Sequence, residues 1–290
     1  MPLRIKSNVA VKPQSFLSQS ETQTSTYSPL GSRLAGRRNI TKIGPLLDSV
    51  RGCPFTAVYG GRGCYGHCYL AESMARYHIK HWIPVPNRFN GQLLAKDLER
   101  LEWDYVRNGV MGDPSLDWLL AVRVAEFCDL YDKETVILTR FLVEADNPVH
   151  CRFARIGAIM HGSVSALDPP QHRERILRNL WQYEQVGGRA VPRIITACFS
   201  DDWPDLWEVQ DELMSLNCAF QQPLRIRGDS PVNKWLDLDR YFPTFSNTDN
   251  RLTNRWRSAH DLYGSRGCYT KCYSCMNKCM TNPRVWGVWG

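Results

Sequence analysis

The sequence predicts an α/β fold built from repeated βα units around a parallel sheet. Three observations predict it. Short β-rich apolar runs alternate with segments whose apolar residues recur at helical spacing, the pattern of strand–helix–parallel strand connections. Polar or glycine-rich stretches follow most of these runs, where the carboxyl ends of parallel strands carry ligand sites. Finally, 290 residues, 43% hydrophobic and 22% charged, suffice for one large α/β domain or two modest ones.

The elements read in order as follows. "FTAVY" (Phe55–Tyr59) is the first strand candidate, and "LAESMARYHIKH" after Cys68 reads as a helix. "YVRNGVM" (Tyr105–Met111) is the second strand. "SLDWLLAVRVAEFCDLY" follows as a helix, with Leu116, Leu119, Leu120, Phe127 and Tyr131 expected on one inward stripe. "TVILT" (Thr135–Thr139) is a third strand and "IGAIMHGSVS" (Ile156–Ser165) a fourth. "PPQHRERILRNLWQY" opens on two prolines, a favourable helix start, and is expected to carry Ile176, Leu177, Leu180 and Trp181 inward. "RIITACFS" (Arg193–Ser200) is the fifth strand, and Pro204–Asn217 a helix with Leu206, Val209, Leu213 and Leu216 at helical spacing. "AFQQPLRIR" completes a sixth, where Pro223 demands a sheet edge or a bend.

Six such units either close most of a barrel or form an open doubly wound sheet. The rim segments are the same in both: Gly112–Ser115, Thr139–Arg140, His161–Ser165, Ser200–Asp202 and Arg227–Asp229. No G-x-G-x-x-G or P-loop fingerprint is present.

Outside this core, residues 1–45 read as a flexible basic arm, because the stretch to Asn39 is rich in Ser, Thr, Gln and Arg, with Glu21 its single acid. The same composition fits an organellar transit peptide; otherwise the expectation is a cytoplasmic protein, since no apolar secretory core stands at the start. No run of eighteen apolar residues exists, so no membrane partner is expected. The net charge of +7 fits either an ordinary basic surface or a polyanionic partner such as nucleic acid. "NRLTNRWRS", with Arg251, Arg255, Arg257 and Trp256, leans towards the second.

Eleven cysteines without an export signal argue against a disulfide scaffold. Cys128, Cys151, Cys198 and Cys218 stand alone in apolar stretches and are expected to be buried free thiols. The rest form two groups: Cys53, Cys64 and Cys68, then Cys268, Cys272, Cys275 and Cys279. Clustered intracellular cysteines read as metal or iron–sulfur ligands. The second group suits an iron–sulfur cluster and structural zinc equally well. His67 lies inside the first turn as a ligand or a supporting group, and His161 as a core or cofactor contact. Tyr65, Tyr69, Tyr269 and Tyr273 are expected to pack over the metal sites.

A cysteine trio after the first strand of βα units resembles the radical S-adenosylmethionine superfamily, specifically its spore photoproduct lyase-like and phage-protein branch. "RGCPFTAVYGGRGCYGHCYLAESMAR", "MGDPSLDWL", "TVILTR" and "GSVSALD" follow that branch's order between Arg51 and Arg227. The resemblance implies a partial (βα)6 barrel over residues 46–230 and a Cys-rich C-terminal extension over residues 231–290. It implies one reactive 4Fe–4S cluster on Cys53, Cys64 and Cys68, and S-adenosylmethionine contacts from Gly112, Asp113, Ser115, Ser163 and Ser165. An external one-electron donor such as flavodoxin or ferredoxin is implied with them. The superfamily's usual spacing is C-x3-C-x2-C, and the third position here is Ala71, so Cys53 is expected to supply the third thiolate. Cys268, Cys272 and Cys275 fit that spacing, but only fifteen residues follow Cys275, too few to build a barrel. They are therefore assigned, with Cys279, to an auxiliary cluster or to zinc. The competing reading is a non-catalytic, zinc-stabilised nucleic-acid-binding protein. Six βα units between the two cysteine groups argue against it.

Overall fold

The computed structural model describes residues 45–57, 63–66, 68, 82–216, 219–227, 230–243 and 251–254. The expected helix after Cys68, residues 1–44, His67, Cys218 and the Cys268–Cys279 group lie outside them.

Six strands form the main sheet: β1 (Leu46–Leu47), β2 (Tyr105–Asn108), β3 (Glu134–Thr139), β4 (Ile159–Val164), β5 (Arg189–Thr196) and β6 (Phe220–Pro223). Their spatial order is the order of the chain, and every neighbouring pair is parallel. Register is continuous across the middle, where Leu138 pairs with His161 and His161 with Val191. Among the described residues, five helices lie in the crossovers: α1 (Gly91–Glu99), α2 (Trp118–Asp129), α3 (Asn147–Arg155), α4 (Pro170–Gln185) and α5 (Pro204–Ser215). A doubly wound sheet reverses its strand order at a switch point; this sheet never reverses. Successive right-handed crossovers in one direction put every helix on one face, so the sheet is a partial barrel and not an open doubly wound sheet.

Packing agrees. The alternate residues Ile137, Met160, Val164, Ala190 and Ile194 face the helices and pack with Phe153, Ile176, Leu180 and Leu213. The other parity, Tyr105, Val136, Leu138, Ile159 and Val191, forms a separate buried cluster on the inner face. Period-two alternation in each strand thus gives two faces with different partners. At Gly162 an added Cβ would lie 2.8 Å from Leu180 Cδ1, so α4 rides closer on β4 than a side chain permits.

Helix starts follow local chemistry. Asn90, Asp117 and Asp146 cap α1, α2 and α3 by accepting from the N–H groups of Leu93, Leu120 and Val149. Prolines open α4 and α5 within the first turn.

Several expectations need correction. The first strand is Leu46–Leu47, earlier than the anticipated Phe55–Tyr59; Pro54–Ala57 is a 3-10 turn. Proline at its head and the stitching of residues 48–52 to the next loop stop the ladder first. In α2 the inward face is Trp118, Ala121, Val122, Val124, Ala125 and Cys128, while Leu119 is 70% exposed. Small residues let the helix approach the sheet, while Leu120, Phe127 and Tyr131 of the expected stripe pack half-buried against Leu47, Leu94 and Leu98. Trp181 is 58% exposed and Asn179 takes the inward place, accepting from Ala145 N–H. Cys151 is exposed on α3, whereas Cys128 and Cys198 are buried as expected. The sixth strand breaks after Pro223: Phe220–Pro223 ends the parallel sheet, and Arg225–Arg227 joins an antiparallel sheet with Tyr241–Pro243 and Arg251–Asn254. The helices α1 and α3 were not expected from the sequence.

Candidate metal centre

The first cysteine group sits at the carboxyl end of the sheet, held there by the loop that follows β2. Beyond β1, Asp48 Oδ1 accepts from the N–H groups of Val110 and Met111, both at 2.7 Å. Asn108 Oδ1 accepts from Ser49 N–H at 2.9 Å and from the Ser49 hydroxyl at 3.1 Å. Gly52 N–H donates to the Met111 carbonyl at 2.9 Å, and Gly52 pairs with Gly112 as an isolated parallel bridge. A Cβ on Gly112 would lie 2.3 Å from the Val50 carbonyl oxygen. Glycine at this position lets the two backbones close, and the closure delivers Cys53 to the rim.

Gly112 therefore has a structural reason, and so do its neighbours. Asp113 is buried; Oδ1 accepts from Ser115 N–H at 3.0 Å and from the Thr139 hydroxyl at 2.7 Å, and Oδ2 from Arg140 N–H at 2.8 Å. Its carboxylate ties the ends of β2 and β3 together. The Ser115 hydroxyl accepts from Val143 N–H at 3.3 Å. The buried Ser165 hydroxyl donates to the Ile195 carbonyl at 3.0 Å, linking the ends of β4 and β5. Ser163 is half-buried on β4, and His161 is fully buried on the inner parity of that strand.

Cys64 begins a short 3-10 turn, Cys64–Gly66, in which Tyr65 has φ 58°. The Tyr65 ring is buried with Ala166, Ala197, Cys198, Phe199, Leu224, Val232 and Leu236. Its hydroxyl donates to Asp168 Oδ1 at 2.9 Å and accepts from Arg140 Nη1 at 2.7 Å. Arg140 Nη2 donates to the same Asp168 oxygen at 2.5 Å, and Asp168 Oδ2 accepts from Ser165 N–H at 2.9 Å. The Arg140 carbonyl lies 3.1 Å from His172 Nε2, and the His172 ring stacks on Phe55 two residues after Cys53. One polar network thus runs between the two cysteine-bearing segments.

Cys64, Cys68 and Asp113 all act on Cys53, and Asp113 acts on Cys64 as well. Burial pushes the Cys53 thiol well above its ordinary pKa, and Cys64, Asp113 and Cys68 push it further. Burial also raises Cys64; Arg140 opposes this, while Asp168 and Asp113 add to it. Buried thiols held protonated in this way are relieved by a cation, which deprotonates them outright on binding. Three soft thiolate donors fit an iron–sulfur cluster. Among the described residues no three His, Cys, Asp or Glu side chains stand grouped so as to hold a metal ion.

Sequence reasoning placed the first cysteine group, Gly112–Ser115, Thr139–Arg140 and His161–Ser165 on this rim. It gave no role to Arg140, Asp168 or His172. Arg140 and Asp168 were nonetheless visible as polar residues directly after two strand runs, in "LTR" and "SALD".

No family model matches the chain, and no curated protein matches it in sequence. Among solved structures, its fold is similar to a spore photoproduct lyase complexed with dinucleoside spore photoproduct, at 11% identity over 75% of this chain and 73% of that one, with a TM-score of 0.49. A spore photoproduct lyase carrying a cysteine-to-serine substitution aligns at 12% identity over 76% of this chain and 74% of that one, with a TM-score of 0.42.

Proposed function

We propose that this chain is a radical S-adenosylmethionine enzyme acting on a polyanionic substrate of the nucleic-acid class. The observation that supports the reading is a sequentially ordered parallel half-barrel whose carboxyl rim holds the segments bearing Cys53 and Cys64, through the Gly52–Gly112 bridge and the Tyr65–Arg140–Asp168 hydrogen bonds. The motif order described above supports the same superfamily, and the net charge of +7 supports the substrate class.

In this reading Cys53, Cys64 and Cys68 hold a 4Fe–4S cluster, with Cys53 standing in for the absent cysteine at Ala71. The bound cluster and S-adenosylmethionine supply one-electron reductive cleavage of the sulfonium bond and hydrogen-atom abstraction from the substrate. The chain's residues prepare the place. Asp113 fixes the loop that positions Cys53, and Arg140 brings a cation near Cys64. The apolar cluster around Tyr65 excludes water from one side of the turn. A donor such as flavodoxin or ferredoxin delivers the electron. Cys268, Cys272, Cys275 and Cys279 form a second, fully ligated site for iron–sulfur or zinc.

Anaerobic reconstitution, metal counting and electron paramagnetic resonance test the proposal. Iron should bind, and adding S-adenosylmethionine should change the reduced cluster's spectrum. Cys53→Ala should abolish that change as completely as Cys64→Ala or Cys68→Ala. Zinc alone, with no iron taken up, would sink the enzyme reading in favour of a binding protein. A spectrum that survives Cys53→Ala but is lost in Cys275→Ala would reverse the two sites.

A further inference from the structure

Tyr65 is a bulky residue in the left-handed region, where side chains other than glycine rarely sit. Such a conformation persists only where its surroundings over-determine it. Here they do so from opposite sides. The Tyr65 carbonyl accepts from the Ser230 hydroxyl at 2.8 Å, across 165 positions of sequence. The phenol hydroxyl is bonded to both Arg140 and Asp168, and the guanidinium carbon lies 5.2 Å from the ring centroid. Glycine would take this turn without strain, yet could make none of the side-chain contacts.

Arg140 is in turn well constrained. Its N–H is held by Asp113, its carbonyl lies against His172, and two of its guanidinium nitrogens are bonded as described. The third, Nε, is buried and has no hydrogen-bond partner. A charged side chain is thus fixed at the end of β3 by residues from β4's end, α4 and the loop after β2. It grips the residue immediately after Cys64. Nothing in ordinary turn formation calls for this arrangement.

We propose that Arg140, braced by Asp168, is a positioning residue that clamps the Tyr65 turn and so aims the Cys64 thiolate at Cys53 and Cys68, while its fixed charge offsets that of the thiolates. The clamp rests on the cluster assignment above for its purpose, but not for its existence. It acts through Tyr65, and its two effects separate. The hydrogen bonds set the shape of the turn; the charge sets how easily an electron is accepted beside it. Removing a nearby positive charge makes a bound cluster harder to reduce, because hydrogen bonding and local charge set such potentials.

Two measurements test this on the full chain. The first is amide hydrogen exchange in the metal-free protein. Arg140→Gln should raise exchange across residues 63–68 by roughly tenfold or more, with the sheet unchanged. Tyr65→Phe, which removes only the hydroxyl, should raise it in the same segment within a folded protein. The second is the midpoint potential of the reconstituted cluster without S-adenosylmethionine. Arg140→Gln should shift it to more negative values, and Arg140→Lys should restore the potential but not the slow exchange. Wild-type exchange across 63–68 in both Arg140→Gln and Tyr65→Phe overturns the clamp. An unshifted potential in Arg140→Gln overturns the charge role. A wild-type protein that binds no iron would instead defeat the proposed function and leave the exchange result standing.

Discussion

Two arginine–carboxylate pairs in this chain have similar geometry and opposite surroundings. On the outer helical layer, Arg152 of α3 donates to Glu126 of α2 through Nε at 2.9 Å and Nη2 at 2.6 Å, with Arg155 adding a third bond at 3.0 Å. At the barrel rim, Arg140 donates to Asp168 at 2.5 Å. By bond count the outer pair is the richer. By burial it is the poorer: the Arg140 and Asp168 side chains are 14% and 4% exposed, against 38% and 27% for Arg152 and Glu126. Exposed pairs gain little because water competes and long side chains must be ordered. A buried pair gains little over an apolar substitute, but breaking it strands a charge. The outer layer would survive as packing alone. The rim would not, because its shape is held by directed polar contacts.

The sharpest way to break that contrast is Asp168→Ala. It leaves Arg140 without its carboxylate, the Tyr65 hydroxyl without an acceptor, and Ser165 N–H without its cap. The expected loss is about 3–5 kcal/mol in urea unfolding of the metal-free protein. A loss below about 1 kcal/mol would make the rim pair equivalent to a surface pair and end the distinction.

The same contrast explains what was legible in the sequence. The strands β2 to β5 are largely buried on both faces, and their β-rich runs of Val, Ile, Leu and Tyr mark them directly in the sequence. The strand β1 has two residues, too few to carry a pattern, and its place comes from Asp48 and Asn108 bonding across to the next loop. The helix α3, "NPVHCRFAR", buries only Val149, His150 and Phe153, so composition hides it. Of the candidate site, cysteine spacing and rim position were legible. The joint hold of Arg140, Asp168 and Tyr65 was not, because it couples positions up to 103 apart through side chains alone.

A pH experiment sharpens the comparison more gently, through His172 on the rim. Burial, then the Arg140 charge, lower its pKa from 6.5 to about 4. Unfolded, the imidazole titrates near 6.5, so as pH falls the unfolded chain takes up the proton first. Stability from the neutral ring is therefore complete above about pH 6.5, declines between about 6.5 and 4, and levels off below that. The difference of about 2.5 units corresponds to about 3 kcal/mol at most. Urea midpoints of the wild type and of His172→Gln should converge as pH drops from 7.5 towards 4.5. Parallel pH curves for the two proteins would show that His172 is not the group responsible.

The smallest effect belongs to the outer pair, and its smallness is the point. Glu126→Ala removes the acceptor of three hydrogen bonds from two arginines, which a simple count would rank level with Asp168→Ala, whose carboxylate also accepts three. The neighbouring arginines hold the Glu126 carboxyl below its ordinary pKa, the Arg152 hydrogen bond most of all. Both guanidiniums, however, return to water when it is gone, since Arg152 is 38% and Arg155 is 70% exposed. No charge is stranded. The expected cost is about 0.5–1 kcal/mol at low salt, shrinking towards zero as added salt screens the pair. Iron uptake and exchange across residues 63–68 should stay at wild-type levels. If Glu126→Ala cost as much as Asp168→Ala, bond count would outweigh burial in this protein, and the rim would lose its claim to be held differently from the helices around it.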